Sequence, residues 1–445
     1  MPPGAAGSTP AAFIPTRLVR SSELFSHYVD RFLVPYHSGT LKVDDARFER
    51  SARNLLRCDD VGDRLARWFH EARPGEGRRS FEAALEQGIE AVPKAAEPLR
   101  DFFAEVDVVP SWVDFDSISR GGALMRRGDR LLAGLSGVAL GFYYSFFSPN
   151  SARALYENGA NARNANRRLV ETVKYVADVS GPDALRRFGA GFKTSCRVRL
   201  VHSFVRERLR RAGTWDEHIY GVPVSATDQA LAILVDSALL VTAMLDFGCR
   251  MTPDEIQDIV NLSGYAGHLL GVPDELRCRT FDEVLELMYV AVRTQATFVD
   301  PDMTRALVDA FADFAIPTLG DGLVKRVGGR LRDAYVRHMW GDDISDRFGI
   351  GGAWTQHAFK LVPPLIHVRD AVEDRFPRVR RWRDASNARF WAEGLPRLLE
   401  EMTGSRETRF EHEERSAGSA PARVAPIGKR GAGGPGGSPS SRLFG

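Results

Sequence analysis

The sequence predicts an all-α fold, on three observations. Apolar residues recur at helical intervals from "FEAALEQGIEAV" near the start to "FWAEGLPRLLEEM" near the end. No series of alternating apolar and polar residues reads as a set of strands. Gly and Pro clusters ("ARPGEGRRS", "DVVPSWVDFD", "VSGPDA", "YGVPVSATD", "LLGVPDEL", "FGIGGAW") punctuate the chain and leave helices of ordinary length between them. With 445 residues, 44% hydrophobic and 27% charged, the chain has the composition of a globular protein able to close a sizeable core.

Taken in order, residues 1–15 and 403–445 are expected to be disordered. Both are rich in Gly, Ser and Pro, and the tail has too few aliphatic residues to offset its ordering entropy. Between them, residues 16–100 form an N-terminal helical subdomain packed on one large helical domain, 101–402. Within that domain Leu131 to Phe147, "LLAGLSGVALGFYYSFF", carries no charge. As a helix it covers about 26 Å, short of the ~20 apolar residues a membrane span needs, so a core helix with close approach at Gly134, Gly137 and Gly141 is expected. Ser225 and Asp228 have the spacing of a helix N-cap box before the apolar run from Ala230, which assigns Asp228 to structure. Asp236 lies inside that run and needs a partner.

Several classes are excluded or weakened. Sixty Lys and Arg against 58 Asp and Glu give a formal net charge of +2, too little excess to hold nucleic acid. Cys58, Cys196, Cys249 and Cys278 are scattered and read as reduced core residues. The N-terminus lacks the basic start and apolar run of a secretory signal, so a cytoplasmic location is expected. H-E-x-x-H, G-x-S-x-G, P-loop and dinucleotide signatures do not occur.

The helix around "RLVHSFVRER" seats a histidine in an apolar stripe. Val198, Val201, His202, Val205 and Leu209 share one side, while Arg197, Arg199, Arg208 and Arg210 mostly point elsewhere. A buried imidazole needs a partner for each ring nitrogen, which leaves three readings: a structural histidine, a ligand of haem iron or another metal, or a general base. Arg206 borders the same face four residues on. On a second helix, "NRRLVETVKYVADV", Arg168 and Thr172 have the same spacing beside Leu169, Val173 and Val176. Two helices that each bring an Arg and a second polar group toward a core match a ligand with an apolar body and anionic edges, as a haem with its propionates is; solvated helix faces match the same pattern.

The ordered set Arg168, Thr172, His202 and Arg206 is preceded by "VPSWVDFDSISRGGALMRRG" and followed by "YGVPVSATDQALAILVDSALL" and "NLSGYAGHLLGVPDEL". Over roughly residues 100 to 300 the chain thereby resembles the MpaB/rubber oxygenase family, which includes latex clearing proteins. The resemblance implies a globin-like helical core holding one haem b, with His202 as proximal iron ligand and Arg168, Thr172 and Arg206 supporting haem binding and activity. It implies dioxygen and a hydrophobic, isoprenoid-type substrate, and it allows a redox partner. Arg168 and Arg206 would neutralise propionates or orient the His202 helix, and the Leu131 to Phe147 segment would suit the wall of a substrate channel.

One departure stands out. Rubber-cleaving members carry a lysine just before the threonine, able to close the distal side of the iron; here the residue is Glu171, and Lys174 would have to reach around the helix. A carboxylate facing a dry pocket would have a raised pKa and could hold or release a proton, which makes Glu171 a candidate catalytic residue with Thr172. Glu157 is a further carboxylate near in sequence, and His268, in "GYAGHLLGV", either lines the same cavity or sits as a core histidine. The rival classes are a haem or lipid carrier without turnover, and a cofactor-free helical interaction protein.

Overall fold

The computed structural model describes residues 13–127, 144–145, 148–157, 162–294, 303–305, 307–308, 323–351, 355–397 and 400. By internal contacts the chain separates into Met1–Phe410 and Glu411–Gly445, and every described residue lies in the first unit. The Leu131 to Phe147 segment falls outside the described residues except at 144–145, as do residues 1–12 and 403–445 of the expected tails. Within the described residues there are helices and turns and no strand, as the periodicity requires.

The N-terminal helices are α1 (Asp45–Leu55), α2 (Asp60–Glu71), α3 (Glu76–Gln87) and α4 (Glu97–Val106). α5 (Phe115–Arg127), α6 (Pro149–Glu157), α7 (Ala162–Val179) and α8 (Ala190–Ala212) follow. A continuous run then comprises α9 (Ala226–Leu234), a π turn (Val235–Leu239) and α10 (Leu240–Asp246). The chain goes on through α11 (Pro253–Leu269), α12 (Phe281–Thr294), α13 (Leu323–Trp340), α14 (Val362–Arg375) and α15 (Pro377–Arg389).

Local chemistry sets the ends of these helices. Asp44 caps α1 and Asp59 caps α2, each side chain accepting a backbone N–H of the first turn. Thr252 and Glu255 form a reciprocal capping box on α11. The Ser225–Asp228 box forms as expected: the Asp228 N–H donates to Ser225 Oγ at 3.2 Å and the Ser225 N–H to Asp228 Oδ2 at 3.1 Å. Asp228 also pairs with the fully buried Arg17 at 3.0 Å, which ties the N-terminal segment to α9.

Two large apolar cores stand out among the described residues. One gathers Leu65, Phe81, Phe102, Phe103, Phe192 and Leu262 from α2, α3, α4, α8 and α11. The other joins Tyr28 and Phe32 to Leu239, Met288, Tyr335 and Trp340. The Ala226–Asp246 run is long and apolar enough to cross a membrane, but most of it is buried between these cores. All four cysteines are free thiols.

The tightest crossing is α5 on α11, and glycine permits it. A Cβ on Gly121 would stand 2.3 Å from the Asp258 carbonyl oxygen, and one on Gly122 would stand 2.5 Å from that of Ser180. Both obstacles are backbone, which cannot swing aside. Gly121→Ala is therefore expected to lower unfolding free energy by about 1–3 kcal/mol in urea titration. Gly329→Ala in α13, where a Cβ meets nothing within 4 Å, should be neutral or gain up to ~1 kcal/mol. Equal effects of the two changes would contradict the close crossing.

Candidate functional site

The helix that carries His202, α8, is sealed on one side by charge. Arg199 is 1% exposed and Arg206 0%. The Arg199 guanidinium grips Asp59 with two bonds, Nε to Oδ2 at 2.7 Å and Nη2 to Oδ1 at 2.8 Å, and reaches Glu105 at 2.9 Å. Arg206 donates from Nε to Asp63 at 2.7 Å, from Nη2 to Ser203 Oγ at 2.7 Å, and from Nη1 to the Val224 carbonyl at 3.2 Å. Asp59 and Asp63 sit four residues apart at the start of α2, and Arg199 and Arg206 are two helical turns apart, so both pairs face each other across one interface. Gly62 lies between the two aspartates because a Cβ there would come within 2.5 Å of both Asp59 and Ser203.

This corrects the expected orientation of the helix. Arg199, expected to point away from the buried side, is among the most deeply buried residues, while Val198, Val201 and His202 of the apolar stripe are only half-buried. The physical reason lies in α2, which brings two carboxylates to the 199/203/206 face and makes burial of two guanidiniums affordable. The signal was in the sequence as D-x-x-x-D at 59 and 63, and the single-helix periodicity of α8 could not identify its partner. Of the two roles expected for Arg206, its contacts match the second, orienting the His202 helix: the guanidinium is held by Asp63, Ser203 and the Val224 carbonyl.

α7 packs against α8, and Asp178 ties them, accepting from Lys174 Nζ at 2.6 Å and from Thr194 Oγ1. The Thr194 bond crosses between the helices, while Lys174 is held one turn along α7 by Asp178 and does not reach around the helix. On α7, Glu171 is half-buried and Thr172 is exposed. The backbone of Arg168 lies in the same helix, while its side chain, like those of Glu157 and Asp236, lies outside the described residues. The side of α8 that carries His202, whose Nδ1 is shielded from solvent, with Val198 and Val201, is half-buried.

His268 belongs to a different place. It lines a small cleft with Ser237 of the π turn, Ser263, Arg277 and Cys278. Its ring stacks on Tyr265 at 6.0 Å, and burial pushes its pKa below the ordinary value. Neither His202 nor Glu171 lines that cleft.

The charge cluster carries a pH signature. Burial works to raise the Asp59 carboxyl, but the bonds and charge of Arg199, the Gly62 N–H and the charge of Arg206 outweigh it, so the pKa lies below 3.8. A folded-state pKa below the unfolded one gives stabilisation that is complete above the ordinary aspartate range and is lost as pH falls through the depressed value. Urea titrations taken from neutral pH into the acid range should show this loss in the wild type. Asp59→Asn should lack that part of the acid slope and be weaker by about 3 kcal/mol already at neutral pH. An unchanged acid slope in the variant would remove Asp59 from the account.

Comparison with known proteins supplies the family. The family model described as "ER-bound oxygenase mpaB/B'/Rubber oxygenase, catalytic domain" matches residues 124–366. The rubber oxygenase of Streptomyces sp. (strain K30) is 24% identical over 262 residues, which are 57% of this chain and 60% of that protein. The chain thus spans less than two thirds of the length of this curated relative. The solved structure of latex clearing protein in the closed state superposes with a TM-score of 0.56 at 18% identity, covering 83% of this chain and 94% of that one. At that identity the superposition establishes the helical fold. The family match takes in more than half of the chain, including α7, α8 and His202, and the protein belongs to the mpaB/B'/rubber oxygenase catalytic-domain family of oxygenases.

Proposed function

We propose that the protein is a haem b-dependent oxygenase that uses dioxygen on a hydrophobic, isoprenoid-type substrate, with His202 as the iron ligand. The observation that carries the proposal is the asymmetry of α8. One side is closed by two buried guanidinium–carboxylate pairs, while the other offers an imidazole between half-buried valines. A flat apolar group with a metal at its centre fits such a face, since the valines meet its body and the imidazole its metal. When bound, haem supplies the binding and activation of dioxygen.

The chain supplies the rest. Asp63 and Ser203 hold the Arg206 guanidinium, which fixes the rotation of α8 and with it the direction of the His202 ring. Asp178 holds α7 at a set distance from α8 and occupies the Lys174 ammonium. Glu171, half-buried on α7, stands where rubber-cleaving relatives have a lysine, and its carboxylate holds or releases a proton at the substrate side. A carboxylate in place of an amine argues for a substrate or product other than that of the rubber-cleaving members. A redox partner remains compatible with this chemistry.

Expression with added haem precursor should give a wild type with a strong Soret band, and His202→Ala should lose or displace it. A colourless wild type, or identical spectra, would overturn the ligand assignment. In the haem-loaded protein, oxygen uptake with a short polyisoprenoid should fall by about 10²-fold in Glu171→Gln while the Soret band stays. Turnover at the wild-type rate in that variant would remove Glu171 from the chemistry.

A further inference from the structure

Seven large apolar side chains stand in solvent near the C-terminal end of the fold. Leu361, Leu365, Val368 and Val372 recur at intervals of four, three and four residues, so they share one face of α14. Phe376 follows at the turn, and Val379 and Trp382 continue the series on α15, with Leu365 66% and Trp382 68% exposed. The inner side of the hairpin is fixed separately, by buried Ile366 and by buried Glu373, which accepts from Arg383 at 2.8 Å. The stripe is therefore the outer face of a docked element, and contiguous exposed apolar surface of this kind marks a binding surface.

The charge on the same hairpin names the partner. Between Lys360 and Arg389 the chain has eight Lys and Arg against four Asp and Glu, a net +4 on a chain whose total is +2. The carboxylates are already engaged: Asp370 with Arg369, Glu373 with Arg383, and Asp374 with Arg380. Among the described residues Arg375, Arg378 and Arg381 form no ion pair, and they alternate along the chain with Phe376, Val379 and Trp382. Apolar residues interleaved with uncompensated arginines, with a tryptophan among them, match the boundary of an anionic bilayer. Rings and aliphatic chains enter at headgroup depth while guanidiniums meet phosphates. A second copy of the hairpin would set +4 against +4, which disfavours self-association.

We propose that the α14–α15 hairpin docks the protein peripherally on an anionic lipid surface through Leu365, Val368, Val379 and Trp382, with Arg378 and Arg381 on lipid phosphates. This inference is independent of the haem assignment. The full chain should co-sediment with vesicles of phosphatidylcholine and phosphatidylglycerol and much less with phosphatidylcholine alone. Leu365→Ser, and separately the pair Arg378→Glu and Arg381→Glu, should each cut binding to the mixed vesicles by about tenfold or more. These side chains lie outside the core, and unchanged circular dichroism would confirm folding. Brominated phosphatidylcholine in the mixed vesicles should quench tryptophan fluorescence in the wild type, and Trp382→Phe should bind but lose most of that quenching. Absence of vesicle binding by the wild type would overturn the proposal, as would binding indifferent to all of these substitutions. Sedimentation velocity showing a wild-type dimer that Leu365→Ser dissociates, without lipid binding, would overturn it in favour of a self-interface.

Discussion

Two guanidiniums buried against two carboxylates set the geometry on which the rest of the molecule depends. Arg199 on Asp59 and Arg206 on Asp63 join α8 to α2 at a distance and rotation that only a short list of arrangements satisfies. Such pairs add little net stability compared with apolar residues of the same size, because each ion gives up its hydration. Removing one partner is another matter and costs about 3–5 kcal/mol, since the remaining charge stays buried and alone. The cluster therefore acts as a register lock. It selects one rotation of α8 over others that the mixed pattern of that helix would allow, and it leaves the His202 face half open.

The neighbouring contacts extend this constraint. Asp178 links α7 to α8 through Thr194, and Arg197 and Lys193 on α8 reach Glu82 and Glu86 on α3. Gly121 and Gly122 let α5 close on α11 and on the end of α7. The ties of Lys193 and Arg197 to α3 lie on the side of α8 away from His202, while the Thr194–Asp178 tie lies on the same ridge as Val198 and His202, two turns before the histidine. The apolar hairpin near the C-terminal end differs, with large side chains in solvent and with Arg375, Arg378 and Arg381 outside any ion pair among the described residues.

Much of the fold was legible in the sequence, and the limits have physical causes. Helical periodicity and Gly/Pro breaks marked the helices, and the Ser225–Asp228 box formed as its spacing required. His202 was singled out because an imidazole in an apolar stripe is conspicuous, and the ordered Arg168, Thr172, His202, Arg206 set carried the family. The burial of Arg199 was missed because periodicity describes one helix at a time. The carboxylates that make that burial tolerable lie about 140 positions earlier in the chain. For the same reason Asp63 was not foreseen as the partner of Arg206, nor Asp178, one turn away, as that of Lys174. The exposed stripe at Leu361 to Trp382 could not be told from a core-facing one, because spacing shows that a face is apolar and only packing shows whether anything covers it.

A double-mutant cycle on Asp63 and Arg206 tests the central claim most directly. Unfolding free energies would be measured by urea titration for the wild type, Asp63→Ala, Arg206→Ala and the double variant. If the pair locks α8, each single change is costly, the second adds little once the first is made, and the coupling energy is about 2 kcal/mol or more. Additive effects, with a coupling below ~0.5 kcal/mol, would show that the two residues act independently and that the orientation of the His202 helix is set elsewhere.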